Sequence, residues 1–98
     1  MIDQLSSREC AELEDAGRRG ADWARALRGA FLEGARLVLG IDRAPSERRV
    51  AEAAGLPPGA VGAAMREAAR WCRRRGLLLM EFPGGRPEEG RRWLMAVG

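Results

Sequence analysis

Lysine and histidine are both absent from this 98-residue chain, so all 17 of its basic residues are arginine. Without histidine there is no imidazole to serve as a general base near neutral pH, and the common tetrahedral zinc sets are out of reach. Without lysine no Walker-type phosphate loop can be completed, and no glycine-rich loop leads into a helix in that manner. Serine occurs only at Ser6, Ser7 and Ser46, each placed to cap a helix or make a turn. The two cysteines, Cys10 and Cys72, lack a redox or zinc spacing. Cys72 falls on the inward side of a helical pattern, where a thiol packs as a small apolar group. The carboxylates are scattered over polar helix faces. These absences argue against an enzyme, a metal site or a cofactor. No apolar run is long enough to span a bilayer. The N-terminal M-I-D-Q-L begins acidic, unlike a secretion signal. The expectation is a cytoplasmic chain with reduced cysteines and no membrane partner.

What is present fits one small domain. Hydrophobic residues make up 46% of the chain and charged residues 32%, as in soluble globular proteins. A core of this size gives modest stability unless the chain oligomerises. The formal charge of +3 is unevenly spread. Residues 1–46 carry seven arginines against eight acids, residues 47–76 seven against three, and residues 77–98 three against three. The positive excess therefore lies in the middle segment. A GC-rich coding sequence would also favour arginine, alanine and glycine, so arginine usage alone does not indicate a ligand.

The chain opens with a helix-start pattern. Ser6 can cap and Glu9 lies three residues on, as a capping box requires, with Leu5 able to staple onto Cys10. Leu13, Ala16, Gly20, Ala24, Leu27, Phe31, Gly34 or Ala35, and Val38 then recur at helical intervals, widened by Trp23, Ala30 and Leu37. Glu14 with Arg18 and Asp15 with Arg19 are i,i+4 pairs in the favourable order. An unbroken helix here, from about Ser7 to Leu39, would be long for the domain; the pattern leaves one helix or two open and favours a break or kink near Gly20. Asp22 would then cap a second helix, Trp23 to Leu39, with Gly40 as its stop. Gly20, Gly29 and Gly34 lower helix propensity. Close packing against a neighbouring helix, including one from a second copy, would account for them. Residues 6–40 thus form an N-terminal helical region suited to dimerisation.

After Ile41 to Ala44, Pro45 suits the first turn of a helix reaching Ala54. Val50 and Ala54 line its inner face, and Ala51 is small enough for a close crossing. Gly55 supplies a corner that commonly needs positive φ. Leu56-Pro57-Pro58-Gly59 makes the turn. A longer helix follows, from about Gly59 to Arg75, with Val61, Ala64 or Met65, Ala68 and Cys72 inward, Trp71 at the edge of that face, and Gly76 as its stop. Leu77 to Phe82 and Arg91 to Val97 read as strands joined by the Gly- and Pro-rich loop between them, hence an antiparallel hairpin. A hairpin this small must pack on the helices, and Trp93 is the side chain best suited to hold it there.

The stretch Val50 to Gly76, V-A-E-A-A-G-L-P-P-G-A-V-G-A-A-M-R-E-A-A-R-W-C-R-R-R-G, resembles the helix-turn-helix of bacterial and phage DNA-binding proteins, a unit placed at residues 45–76. The hairpin of residues 77–97 looks like the wing of the winged-helix branch. The resemblance covers the C-terminal half and rests on Ala51, Gly55 and Val61 at their motif positions. It implies a mainly α fold with a small antiparallel hairpin: a winged helix-turn-helix with an extended N-terminal helical region.

The resemblance also implies that the second helix of the motif enters the major groove. The matching residues are Pro57, Pro58, Gly59, Gly62, Ala63 and Arg66, of which only Arg66 can contact guanine bidentately. Arg66, Arg70 and Arg74, with Arg73 beside them, form a stripe able to follow a phosphate backbone. A solvated face near a helix C-terminus would look the same. Arg48 and Arg49 stand where the family touches phosphate. Arg86, Arg91 and Arg92 lie on the wing, diluted by Glu88 and Glu89. Trp23, Phe31, Trp71 and Trp93 are expected in the core or an interface. Two functions are expected: a small dimeric protein binding double-stranded DNA, as regulator or architectural factor, or a winged-helix module that binds protein, such as an adaptor or a phage-encoded inhibitor of a host complex.

Overall fold

The N-terminal helical pattern breaks in two, and the reason is local. In the computed structural model, which describes residues 5–33, 44–84 and 86–97, α1 spans Ser7–Arg18 and α2 spans Asp22–Leu32. The capping box forms: the Ser6 hydroxyl accepts from the Glu9 N–H at 3.1 Å, and the Glu9 carboxylate accepts from the Ser6 N–H at 2.9 Å. Past Arg18 the chain turns at Gly20 with φ 89°. The Gly20 N–H donates to the Gly17 carbonyl and the Ala21 N–H to that of Ala16, at 3.1 and 3.0 Å. This is the Schellman closure, and it needs a left-handed residue at Gly20. Asp22 is not the cap of α2. Ala21 occupies that position without a side-chain bond, and Asp22 sits inside the first turn, 2.7 Å from the Arg25 guanidinium. The element ends at Leu32 with Glu33 as C-cap, so the expected continuation to Leu39 and stop at Gly40 fall on residues outside those described. So do Gly34 and the link Ile41 to Arg43.

The third helix, α3, spans Glu47–Ala54. Its start corrects the expected role of Pro45, which lies before the helix. Ser46 is the cap, its hydroxyl accepting from the Arg49 N–H at 3.3 Å. Pro45 instead uses its carbonyl to accept from the Trp93 N–H at 3.1 Å. The helix closes at Gly55 with φ 69°, and the Leu56 N–H reaches back to the Ala51 carbonyl at 3.0 Å. A Cβ on Gly55 would touch nothing within 4 Å, so Gly55→Ala is a purely conformational perturbation. It is expected to cost about 1–2 kcal/mol, the price of left-handed backbone for an L side chain. Gly59→Ala, equally uncrowded but in ordinary helix, should gain about 0.5–1 kcal/mol. Thermal melts of the two variants should therefore move in opposite directions.

The longest helix among the described residues, α4, spans Pro58–Arg73, with Pro57 as N-cap and Arg74 as C-cap. The hairpin follows: β1, Leu77–Phe82, pairs antiparallel with β2, Arg92–Val97, in the register Leu77↔Val97 through Phe82↔Arg92. The second strand thus starts one residue later than Arg91.

Two apolar clusters hold these elements together. One joins Leu13 of α1, Leu27 and Phe31 of α2, Ala68, Trp71 and Cys72 of α4, and Met95 of β2. Leu5 is buried in it, and Cys10 packs against it. Trp71 is buried in this cluster rather than at its edge, and it stands 5.6 Å from Trp23, ring centroid to ring centroid. The other cluster joins Ala26 and Ala30 of α2, Val50 and Ala51 of α3, Val61 and Met65 of α4, and Trp93 of β2. Leu79 of β1 packs against both. Trp93 is 1% exposed. Helices α2 and α3 cross closely at Gly29, where a Cβ would lie 3.2 Å from the Ala54 Cβ and 3.3 Å from the Val50 carbonyl oxygen. The neighbour that gives Gly29 its packing role is thus α3 of the same chain.

The stretch before α3 also binds the hairpin through its backbone. Ser46 bridges to Arg92, the Glu47 N–H donates to the Arg91 carbonyl at 2.8 Å, and the Arg48 N–H donates to that of Glu89 at 3.0 Å. The end of the loop that leads into β2, Glu89 to Arg91, is therefore fixed beside the start of α3.

Candidate nucleic-acid interface

The exposed side of α4 is built from two kinds of residue. Gly59 and Ala63 are exposed, and Gly62 is half-buried, so the N-terminal half carries almost no side chain. The first turn has no side-chain cap and no acid. Arg66, Arg70, Arg73 and Arg74 follow at helical spacing, all exposed. Glu67 stands exposed beside them and lowers the local charge. The inner side of the same helix is Val61, Ala64, Met65, Ala68, Trp71 and Cys72, all buried. Burial pushes the Cys72 thiol up to about 12, only partly offset by the nearby Arg75. At physiological pH it is a neutral packing group.

The candidate arginines divide sharply when their partners are followed. Arg48 meets Glu52 at 3.5 Å and Glu89 at 3.3 Å, and Glu89 also accepts from the Ser46 hydroxyl at 2.9 Å. Arg49 meets Glu33 at 3.0 Å. Arg66 meets Glu81 at 3.2 Å, and Arg91 pairs with the same carboxylate. Arg92 donates to the Ala44 carbonyl at 3.5 Å. By contrast, Arg70, Arg73, Arg74 and Arg86 have no carboxylate partner among the described residues. The first three lie together on α4; Arg86 lies apart, in the wing loop.

Arg75 continues the arginine run in sequence but leaves the surface stripe in space. Its guanidinium lies 4.1 Å from the Trp71 ring centroid and meets Glu12 at 2.6 Å and Glu9 at 3.6 Å. It ties the end of α4 to α1 and is not available to a ligand in this arrangement. Of the two i,i+4 pairs expected on α1, Asp15–Arg19 forms at 3.1 Å, while Glu14 and Arg18 form none among the described residues.

Glu81 was not a sequence candidate. Its signal was nonetheless there: it is the one charged residue in the strand L-L-L-M-E-F. A shallow groove of about 420 Å³ also runs between α3, the turn after it and the wing loop, lined by Arg48, Glu52, Leu56 and Glu88 among others. With one arginine against two carboxylates, its lining does not favour an anion.

Among the described residues, four helices followed by a two-stranded antiparallel hairpin, with α3 and α4 joined by a glycine corner, make this a fold of the winged-helix type. Comparison of the chain with protein-family models, with curated proteins and with solved structures gave no match. The class therefore stands on the architecture itself. No described helix is long and apolar enough to cross a membrane.

Proposed function

We propose that the protein binds double-stranded DNA through the exposed face of α4, by phosphate contacts rather than by reading bases, as a small regulator or architectural factor. The observation that supports this reading is the group Arg70, Arg73 and Arg74: three guanidiniums on one helix face without a carboxylate partner among the described residues. Phosphate contacts of this kind supply affinity and orientation without sequence information. The bare half of the face, Gly59 to Ala63, allows close approach but offers no donor or acceptor side chain. Titration of the free chain with a random duplex of about 30 base pairs tests the reading, with micromolar binding that weakens steeply with salt as the expected result. Absence of binding at low salt would overturn it. The reading includes a cytoplasmic location and a homodimer, the latter measured by sedimentation of the free chain.

One observation favours a second reading, that of a protein-binding module. The wing loop presents Glu88, and Arg48, Arg49 and Arg66 of the α3–α4 unit are already engaged by carboxylates. A duplex titration that fails at low salt would move the assignment to this reading.

A further inference from the structure

We infer that Glu81 limits how tightly the α4 face holds nucleic acid, because its carboxylate occupies Arg66 and Arg91 and a duplex phosphate must compete for them. This rests on the DNA reading above. A single oxygen, Oε2, faces both guanidiniums: Arg66 reaches it from α4 and Arg91 from the residue before β2. The three groups together carry one net positive charge where two arginines alone would carry two. The Arg66 and Arg91 side chains are 58% and 48% exposed, whereas that of Glu81 is 23% exposed. The carboxylate is thus the more enclosed partner and the guanidiniums point outward.

Glu81 is also held in place by its register. It pairs across the hairpin with Trp93, which is sealed in the core, so the strand cannot carry the carboxylate away from the helix. Guanidinium forks match carboxylate and phosphate alike. Two arginines converging on one carboxylate are therefore arranged as they would be around a phosphate, with the protein's own anion in its place. Exposed ion pairs of this kind are weak, so displacement by a duplex is feasible, but the carboxylate charge stays beside the incoming phosphate and opposes it. Glu89 restrains Arg48 in a related way, yet it also bonds the Ser46 cap of α3, so its removal would disturb the helix. Glu81 has no such second role among its described contacts.

Glu81→Gln removes the charge and keeps the shape. With one further phosphate contact it is expected to bind the duplex about five- to tenfold more tightly at about 0.1 M salt, with a salt slope steeper by about 1. Glu81→Thr, which suits a strand, is titrated in parallel so that the result does not depend on one variant folding. The gain should vanish when Arg66→Ala and Arg91→Ala are added to Glu81→Gln. If the native chain binds while both Glu81 variants bind equally or more weakly, the inference is overturned and the DNA reading stands. If neither native chain nor variants bind at low salt, the DNA reading fails and takes this inference with it.

Discussion

The triple substitution Arg70→Ala, Arg73→Ala, Arg74→Ala is expected to lower duplex affinity by about two to three orders of magnitude at roughly 0.1 M salt, on the basis of about 0.9 in salt slope per phosphate contact. The fold should survive it. All three side chains are exposed and make no ion pair among the described residues. The loss to stability is confined to their favourable position near the α4 C-terminus, about 0.3–1 kcal/mol each. Replacing the same three with lysine should keep most of the affinity, since phosphate attraction needs charge more than fork geometry. A titration series with all three forms would separate these effects. Native-strength binding by the alanine form would place any DNA contact elsewhere on the molecule.

The largest effect on stability is expected at Trp93. Trp93→Ala should cost about 3–5 kcal/mol, as for other buried aromatics truncated to alanine. A 98-residue domain has only about 5–15 kcal/mol in total. The variant should be near its unfolding threshold at ambient temperature, as denaturant titration would show. The side chain fills the space between α2, α3 and α4 while its backbone N–H is bonded to Pro45. Truncation therefore opens the core at the point where the hairpin joins the helices. Trp93→Phe should be far milder. The indole Nε1 is buried without a partner among the described residues, and an unpaired buried N–H costs about 1–3 kcal/mol. Phenylalanine removes that donor, offsetting part of the lost volume. Equal costs for the two substitutions would contradict this account.

Much of the architecture was legible because it depended on neighbours in sequence. The capping box at Ser6 and Glu9, the break at Gly20, the corner at Gly55 and the paired strands all follow from local spacing or backbone chemistry. Pro45 shows the limit. Its ring suits a helix start, but the chain bonds to β2 there, and Ser46 with its hydroxyl is the better cap. Asp22 shows another, since the Schellman closure two residues earlier already sets where α2 begins. The candidate site was less legible for an electrostatic reason. Residues 47–76 have a local excess of arginine, but Glu9, Glu12, Glu33, Glu81 and Glu89, all outside that segment, settle on Arg75, Arg49, Arg66 and Arg48 once the chain folds. Charge counted along a segment does not see acids arriving from other elements. What survives that neutralisation on α4 is Arg70, Arg73 and Arg74, less the nearby Glu67.

The two sides of α4 are under unequal constraint. Its inner residues are locked into both apolar clusters, whereas at Gly59 an added methyl would meet nothing and at Gly62 only the ends of the Arg66 and Glu47 side chains. Neither glycine has the positive φ that would forbid other residues. Side chains can therefore be exchanged at Gly59 and Ala63, and with slight adjustment at Gly62, without touching the packing that holds the fold. The helix is a scaffold with an unwritten outer surface. A few substitutions there can give the outer surface a different chemistry while the packing of the inner face stays as it is.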